Sequence, residues 1–281
     1  MLERNIGEYL SIDEVAVTNG ELYTIITNKK AKGKKGALVA VVKGIKASEI
    51  SVILAKIPES LRNSVLEVTL DMSNAMDFII RKSFPQAVIV TDRFHVQQLI
   101  TEVVQEIRMS FRREILKEET AAILLARKEK RVYQPQICEN GDTKKQLLAR
   151  SHYLLFKSET NWTDSQKLRS DILFKQFPEV EHAYNLSMMF RSWYETNLNR
   201  ETAKEKLQIW YEKIEQENIE SFTVVAHSIK VHEDTILNYF NNRSTNASAE
   251  SFNAKLKGFR ALVRGVRDIK FFLFRVSKLY G

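Results

Sequence analysis

The chain has 281 residues, enough for one large domain or two smaller ones, and its 44% apolar content can build a core. One cysteine, Cys138, excludes internal disulfides and cysteine-based zinc clusters; no apolar run approaches the roughly 18 residues of a membrane span, and no basic-then-apolar leader opens the sequence, so a cytoplasmic protein without a membrane partner is expected. The net charge of +8 is uneven: from Arg243 to Gly281 nine Lys/Arg face two acids, which points to a polyanionic partner or to solvated amphipathic helices.

Residues 8–18 read as a strand, Asn19-Gly20 as a hairpin turn, and residues 21–27 as the returning strand. The apolar alternation changes phase at Asp13-Glu14: Leu10 and Ile12 take one face, Val15 and Val17 the other. Two acids in mid-strand are costly to bury unless they bind something; a bulge or an edge position is the other reading. Lys29, Lys30, Lys32, Lys34 and Lys35 form a basic turn that either touches phosphates or is a solvated tip. Residues 37–42 are a third strand, short and β-branched. Helical spacing follows over 47–60, a fourth strand over 65–70 ending on Asp71, a helix over 74–84 stopped by Pro85, and a fifth strand over 87–90 ending at Thr91-Asp92. This βββαβαβ order predicts an α/β fold with a mixed five-stranded sheet of the ribonuclease H-like kind.

From Arg93 to about Phe240 only helical periodicity appears, over 97–130, 144–157, 162–177, 180–194, 203–218 and 222–240. The expected organisation is a first part of the core over 1–104, an all-α insertion over 105–239, and a second core part over 240–281. Trp162, Trp193 and Trp210 read as core residues of the insertion.

Residues 243–257 read as a helix start, with Ser244, Thr245 and Asn246 as possible caps and Glu250 as the only acid before Asp268. In the predicted sheet the first and fourth strands are neighbours, so Asp13 and Asp71 would lie side by side, with Glu250 supplied by a helix over that edge. Three hard oxygen ligands suit Mg²⁺, with Mn²⁺ as substitute, and two such ions serve an in-line phosphoryl displacement that needs no covalent enzyme intermediate. Each acid also has a plainer reading: Asp71 and Asp92 as helix caps, and Glu250 as a surface partner of Lys257 or Arg243.

At this point the chain resembles the catalytic region of bacterial insertion-sequence DDE transposases of the ISL type. The resemblance is carried by Ser11-Ile-Asp13-Glu-Val-Ala-Val, by Val68-Thr-Leu-Asp71-Met-Ser, by Phe84 to Val96 with its Asp92-x-x-His95, and by Asn246-Ala-Ser-Ala-Glu250-Ser-Phe-Asn253-Ala-Lys-Leu-Lys257. It implies a ribonuclease H-like core interrupted by a helical insertion, and catalytic, metal-holding acids at Asp13, Asp71 and Glu250. Asp92 and His95 match a motif that supports the active site, and Asp92 is the alternative second acid; Asn246 and Asn253 flank Glu250 as supporting residues. Lys255, Lys257, Arg260, Arg264 and Arg267 would hold phosphates.

The implied function is cleavage and joining of DNA at element ends and target by an oligomer of this chain, associated with the nucleoid when bound. The alternatives are a structure-selective nuclease of the same fold and a non-catalytic DNA-binding protein derived from a transposase. The resemblance implies an N-terminal zinc-binding and helix-turn-helix region that is not found in this sequence, so the expectation is either a separate end-recognition protein or loss of that part.

Overall fold

A computed structural model of the chain describes residues 1–18, 20–263 and 265–281, with only the backbone of Thr18. Two residues from the sequence reading, Asn19 of the hairpin turn and Arg264 among the expected phosphate contacts, lie outside the described residues. The chain forms two compact units: Met1–Val96 together with His232–Gly281, and Gln97–Val231.

The first unit is built on β1 (Tyr9–Thr18), β2 (Glu21–Asn28), β3 (Leu38–Lys43), β4 (Glu67–Leu70) and β5 (Val88–Thr91). Their order across the sheet is β3-β2-β1-β4-β5. Pairing is antiparallel for β1 with β2 and β2 with β3, and parallel for β1 with β4 and β4 with β5. The parallel pairs need crossovers. The first holds α1 (Ala47–Leu54) and α2 (Glu59–Asn63), the second α3 (Asn74–Ser83).

The phase change at Asp13-Glu14 is explained by burial on two faces. β1 is the central strand, and its pairing with β2 runs unbroken through Asp13↔Ile25 and Glu14↔Thr24, so neither a bulge nor an edge occurs there. Leu10 and Ile12 pack under Ile50, Leu54, Ile79 and Ile80 of α1 and α3. Val15 and Val17 face the other way, onto Phe252, Leu256, Phe272 and Val276. Those four belong to α12 (Ala247–Leu262) and α13 (Ile269–Tyr280). Each face of β1 is thus covered over a different half of the strand, and Asp13 sits with Ser11 and Val15 on the α12 side.

The second unit holds most of α4 (Arg93–Lys128), then α5 (Lys144–Arg150), α6 (Asp164–Gln176), α7 (Pro178–Thr196), α8 (Arg200–Glu217) and α9 (Glu220–Val231). Thr143 and Thr163 start α5 and α6 with reciprocal capping boxes, and Asn199 caps α8. The core is aromatic: Trp162, Trp193 and Trp210 are all buried, and each indole N–H donates to a backbone carbonyl. The helix expected over 222–240 is three pieces: α9, then α10 (Glu233–Leu237) and α11 (Tyr239–Asn242) in the first unit. A 3.6-residue pattern tolerates one non-helical residue such as His232, because the apolar stripe resumes almost in phase.

Candidate active site

The parallel register builds the site. Ser11 pairs with Thr69 and Leu70 with Thr91. Continuing each register places Asp71 beside Asp13 and Asp92 beside Asp71, one acid at each of three adjacent strands. The Asp92 N–H donates to the Leu70 carbonyl at 2.8 Å, which holds the end of β5 against the end of β4. Ligand sites in parallel sheets gather at these carboxyl ends, where side chains leave the ladder and helix N-termini approach.

α12 covers the row. The Asn253 Nδ2 donates to Asp13 Oδ2 at 2.6 Å, and the Asn246 backbone N–H donates to Asp92 Oδ1 at 3.3 Å. Residues 246, 250 and 253 follow i, i+4 and i+7, so one face of α12 carries all three toward the acids. Asn246 ends the helix differently from an ordinary cap. Its carbonyl accepts from the N–H groups of Ala249 and Glu250, while both atoms of its buried side-chain amide have no hydrogen-bond partner among the described residues. The Asp92 carboxyl group therefore sits at the N-terminus of α12.

His95 lies in the first turn of α4, and its Nε2 is 2.9 Å from Asp71 Oδ1. Asp92, His95 and Glu250 each offer one ligand atom, and these atoms lie within 4.8 Å of one another. Asp13, Asp71 and Glu250 feel one another electrostatically. Burial, followed by the Asp71 charge, pushes Asp13 up to about 6, with Glu250 a smaller contributor. Burial and then Asp92, with Asp71 adding less, raise Glu250. Burial also raises Asp92, and the Asp71 hydrogen bond raises His95. For Asp13, Asp92 and Glu250 burial is the leading cause and neighbouring carboxylates add to it, while His95 pulls each of them back.

The residues fit a divalent cation. The donors are carboxylate oxygens and one imidazole, and Asp92 Oδ2 and Asn253 Oδ1 are buried without a hydrogen-bond partner among the described residues. An orphaned carboxylate oxygen is expensive unless a cation or water meets it.

A buried ion pair behind the acids escaped the sequence reading. Lys29, first of the five turn lysines, directs its Nζ inward to Glu67 Oε1 at 3.2 Å, to Thr69 Oγ1 at 2.7 Å and to Ser244 Oγ. Asn242 Nδ2 completes Glu67. Only Glu67, an acid inside an apolar strand, carried a signal; nothing local separates Lys29 from its neighbours. Of the expected phosphate contacts, Lys255, Lys257 and Arg267 are exposed. Lys255 donates to the Gly33 carbonyl at 2.9 Å, and Arg260 donates to the Val266 carbonyl at 2.8 Å while lying over the Phe272 ring.

The profile of the ISL3 group of DDE transposases, described as Transposase, matches residues 10–276. The chain belongs to this transposase family. Among characterised proteins, a transposase for insertion sequence element IS1001 from Bordetella parapertussis is 22% identical over 276 residues. That alignment takes in 97% of this ISL3-type chain and 61% of the relative, so the chain spans about three fifths of that protein's length. No solved structure matches. Among the described residues, no helix of this family member is long and apolar enough to cross a membrane.

Proposed function

We propose that this transposase chain carries the DNA-cleaving and strand-joining centre, on a ribonuclease H-like core formed by its first unit and interrupted by the helical unit. The observation that carries the proposal is the row Asp13, Asp71, Asp92 across β1, β4 and β5, faced by Glu250 and His95. The sheet order β3-β2-β1-β4-β5 supports the core assignment.

Asp13, Asp71 and Glu250 would hold Mg²⁺, or Mn²⁺ in its place. When bound, such an ion supplies charge stabilisation at phosphate oxygens. The protein's part is positioning. Asn253 fixes the Asp13 carboxylate, and His95 fixes that of Asp71. Water forms a bond to an end phosphorus as the P–O3′ bond breaks, its proton leaving to solvent. The freed 3′-hydroxyl then attacks a target phosphorus in the same sense, displacing the target 3′ oxygen. Exposed Lys257 and Arg267 would bind flanking phosphates. An oligomer on DNA belongs to the same proposal.

One observation favours a second ligand set. Asp92 shares the tight group with His95 and Glu250, whereas Asp71 is bonded to His95. Asp92 then replaces Asp71 as the second acid. Strand joining on a precut element end separates the sets. Asp13→Ala and Glu250→Ala should reduce joining at least 10³-fold, as expected for removing part of a preorganised charge site, with DNA binding retained. The second acid is whichever of Asp71→Asn and Asp92→Asn falls as far. Full-rate joining by Asp13→Ala removes the proposal. Cleavage without joining by the unaltered protein selects the nuclease reading, and neither activity selects a non-catalytic DNA binder.

A further inference from the structure

The outer face of α13 has no place in the chemistry above. Phe272 and Val276 pin the helix to the sheet side and are buried. At 100° per residue, Lys270, Phe274, Lys278, Phe271 and Arg275 fall on the opposite arc of about 140°. All five are exposed, Phe271 by 46% and Phe274 by 53%. Among the described residues none of the three cations pairs with a carboxylate. Asp268, the acid that precedes the helix, accepts from the N–H groups of Lys270 and Phe271 as its cap, and no acid lies between Ile269 and Gly281. The Lys278 ammonium stands 5.5 Å from the centre of the Phe274 ring, so a cation and a flat apolar surface are presented together.

Two exposed rings among three cations without a carboxylate partner match one polyanion with flat apolar units. We infer that the outer face of α13 binds unpaired DNA, with Phe271 and Phe274 stacking on bases and Lys270, Arg275 and Lys278 contacting phosphates. Duplex DNA hides its base faces and would use only the cations, so the rings make the surface selective for single strands or frayed ends. This rests on the reading that the chain acts on DNA, but not on the metal or the acids.

The test is equilibrium binding of a fluorescent oligothymidylate and of a duplex of equal length to the 281-residue chain, in EDTA, over a salt series. Phe271→Leu/Phe274→Leu keeps apolar bulk and removes the stacking planes. It should weaken the oligothymidylate at least tenfold and the duplex less than twofold, with the melting temperature unchanged. Lys270→Gln/Arg275→Gln/Lys278→Gln should lower the slope of log K against log salt by about 2 for the single strand. Cross-linking from 5-iodouracil should map to α13.

An unchanged oligothymidylate affinity in the Leu variant overturns the inference. So does an equal loss for both DNAs. If the variant instead abolishes binding to vesicles of equal phosphatidylserine and phosphatidylcholine, or a dimer of the unaltered chain, the face serves that partner and the DNA inference fails. Because no divalent ion is present, a failed joining assay with Asp13→Ala leaves this result standing, and the reverse.

Discussion

Asp13 combines burial with a neighbouring like charge. Held at about 6 by burial first and the Asp71 charge second, it favours its protonated form in the fold. Its contribution to stability is complete below its ordinary 3.8 and is lost as pH rises through about 6. His95, raised above 6.5 chiefly by its bond to Asp71, contributes below 6.5 and is likewise lost as pH rises through its folded value. The two signs agree. The metal-free protein should therefore melt lower at about pH 8 than at about pH 5, and Asp13→Asn should flatten the part of the profile between about 4 and 6. At about pH 8 that variant should gain on the order of 1 kcal/mol, after discounting for the partial exposure of Asp13. Thermal unfolding in EDTA across this range checks both. Adding Mn²⁺ should stabilise the unaltered protein more at the higher pH, where the carboxylates are free to accept it.

At the scale of elements, the start of α12 is held by a buried pair. Lys29 reaches from the turn after β2 to Glu67 and Thr69 of β4, and to Ser244 just before α12. The pair is nearly closed to solvent, with side-chain exposures of 13% and 5%. Removing one partner strands a buried charge. Lys29→Met should cost about 3–5 kcal/mol in urea unfolding, while Lys29→Met/Glu67→Leu should recover much of that loss. A double variant as unstable as the single would show that Lys29 acts through Ser244 and Thr69 instead. The same pair explains why Lys29 does not serve as a solvated tip: its ammonium has three protein partners and little water.

For the molecule as a whole, the helical unit stands on its own aromatic core. Trp210 is fully buried, its indole N–H meets the Leu186 carbonyl at 3.0 Å, and its ring lies 4.7 Å from that of Phe190. Trp210→Ala should cost that unit about 3–5 kcal/mol, with Trp210→Phe costing less. Hydrogen exchange should show the loss in α7 and α8; unchanged protection there would mean that the cavity collapses without penalty. In the sequence, strand patterns stop after Thr91 and only helical spacing follows. Local periodicity marks no boundary there, since the 3.6-residue stripe runs through His232 and α4 runs unbroken from Arg93 to Lys128.

The sequence by itself determined the order of elements and which residues are chemically expensive. β-branched alternation, prolines and capping residues act over a few positions, and an acid in an apolar strand is conspicuous wherever the strand goes. It also carried the family motifs around Asp13, Asp71, Asp92 and Glu250. Only the tertiary structure decided which acids become neighbours, because strand register is set by pairing between segments dozens of residues apart. That register joins Asp92 to the row, the start of α4 brings His95 to Asp71, and packing between elements turns Lys29 inward while leaving the cations and rings of α13 facing out. Side-chain direction on a packed helix or sheet depends on what covers it, and that is a property of the assembled chain rather than of any local stretch.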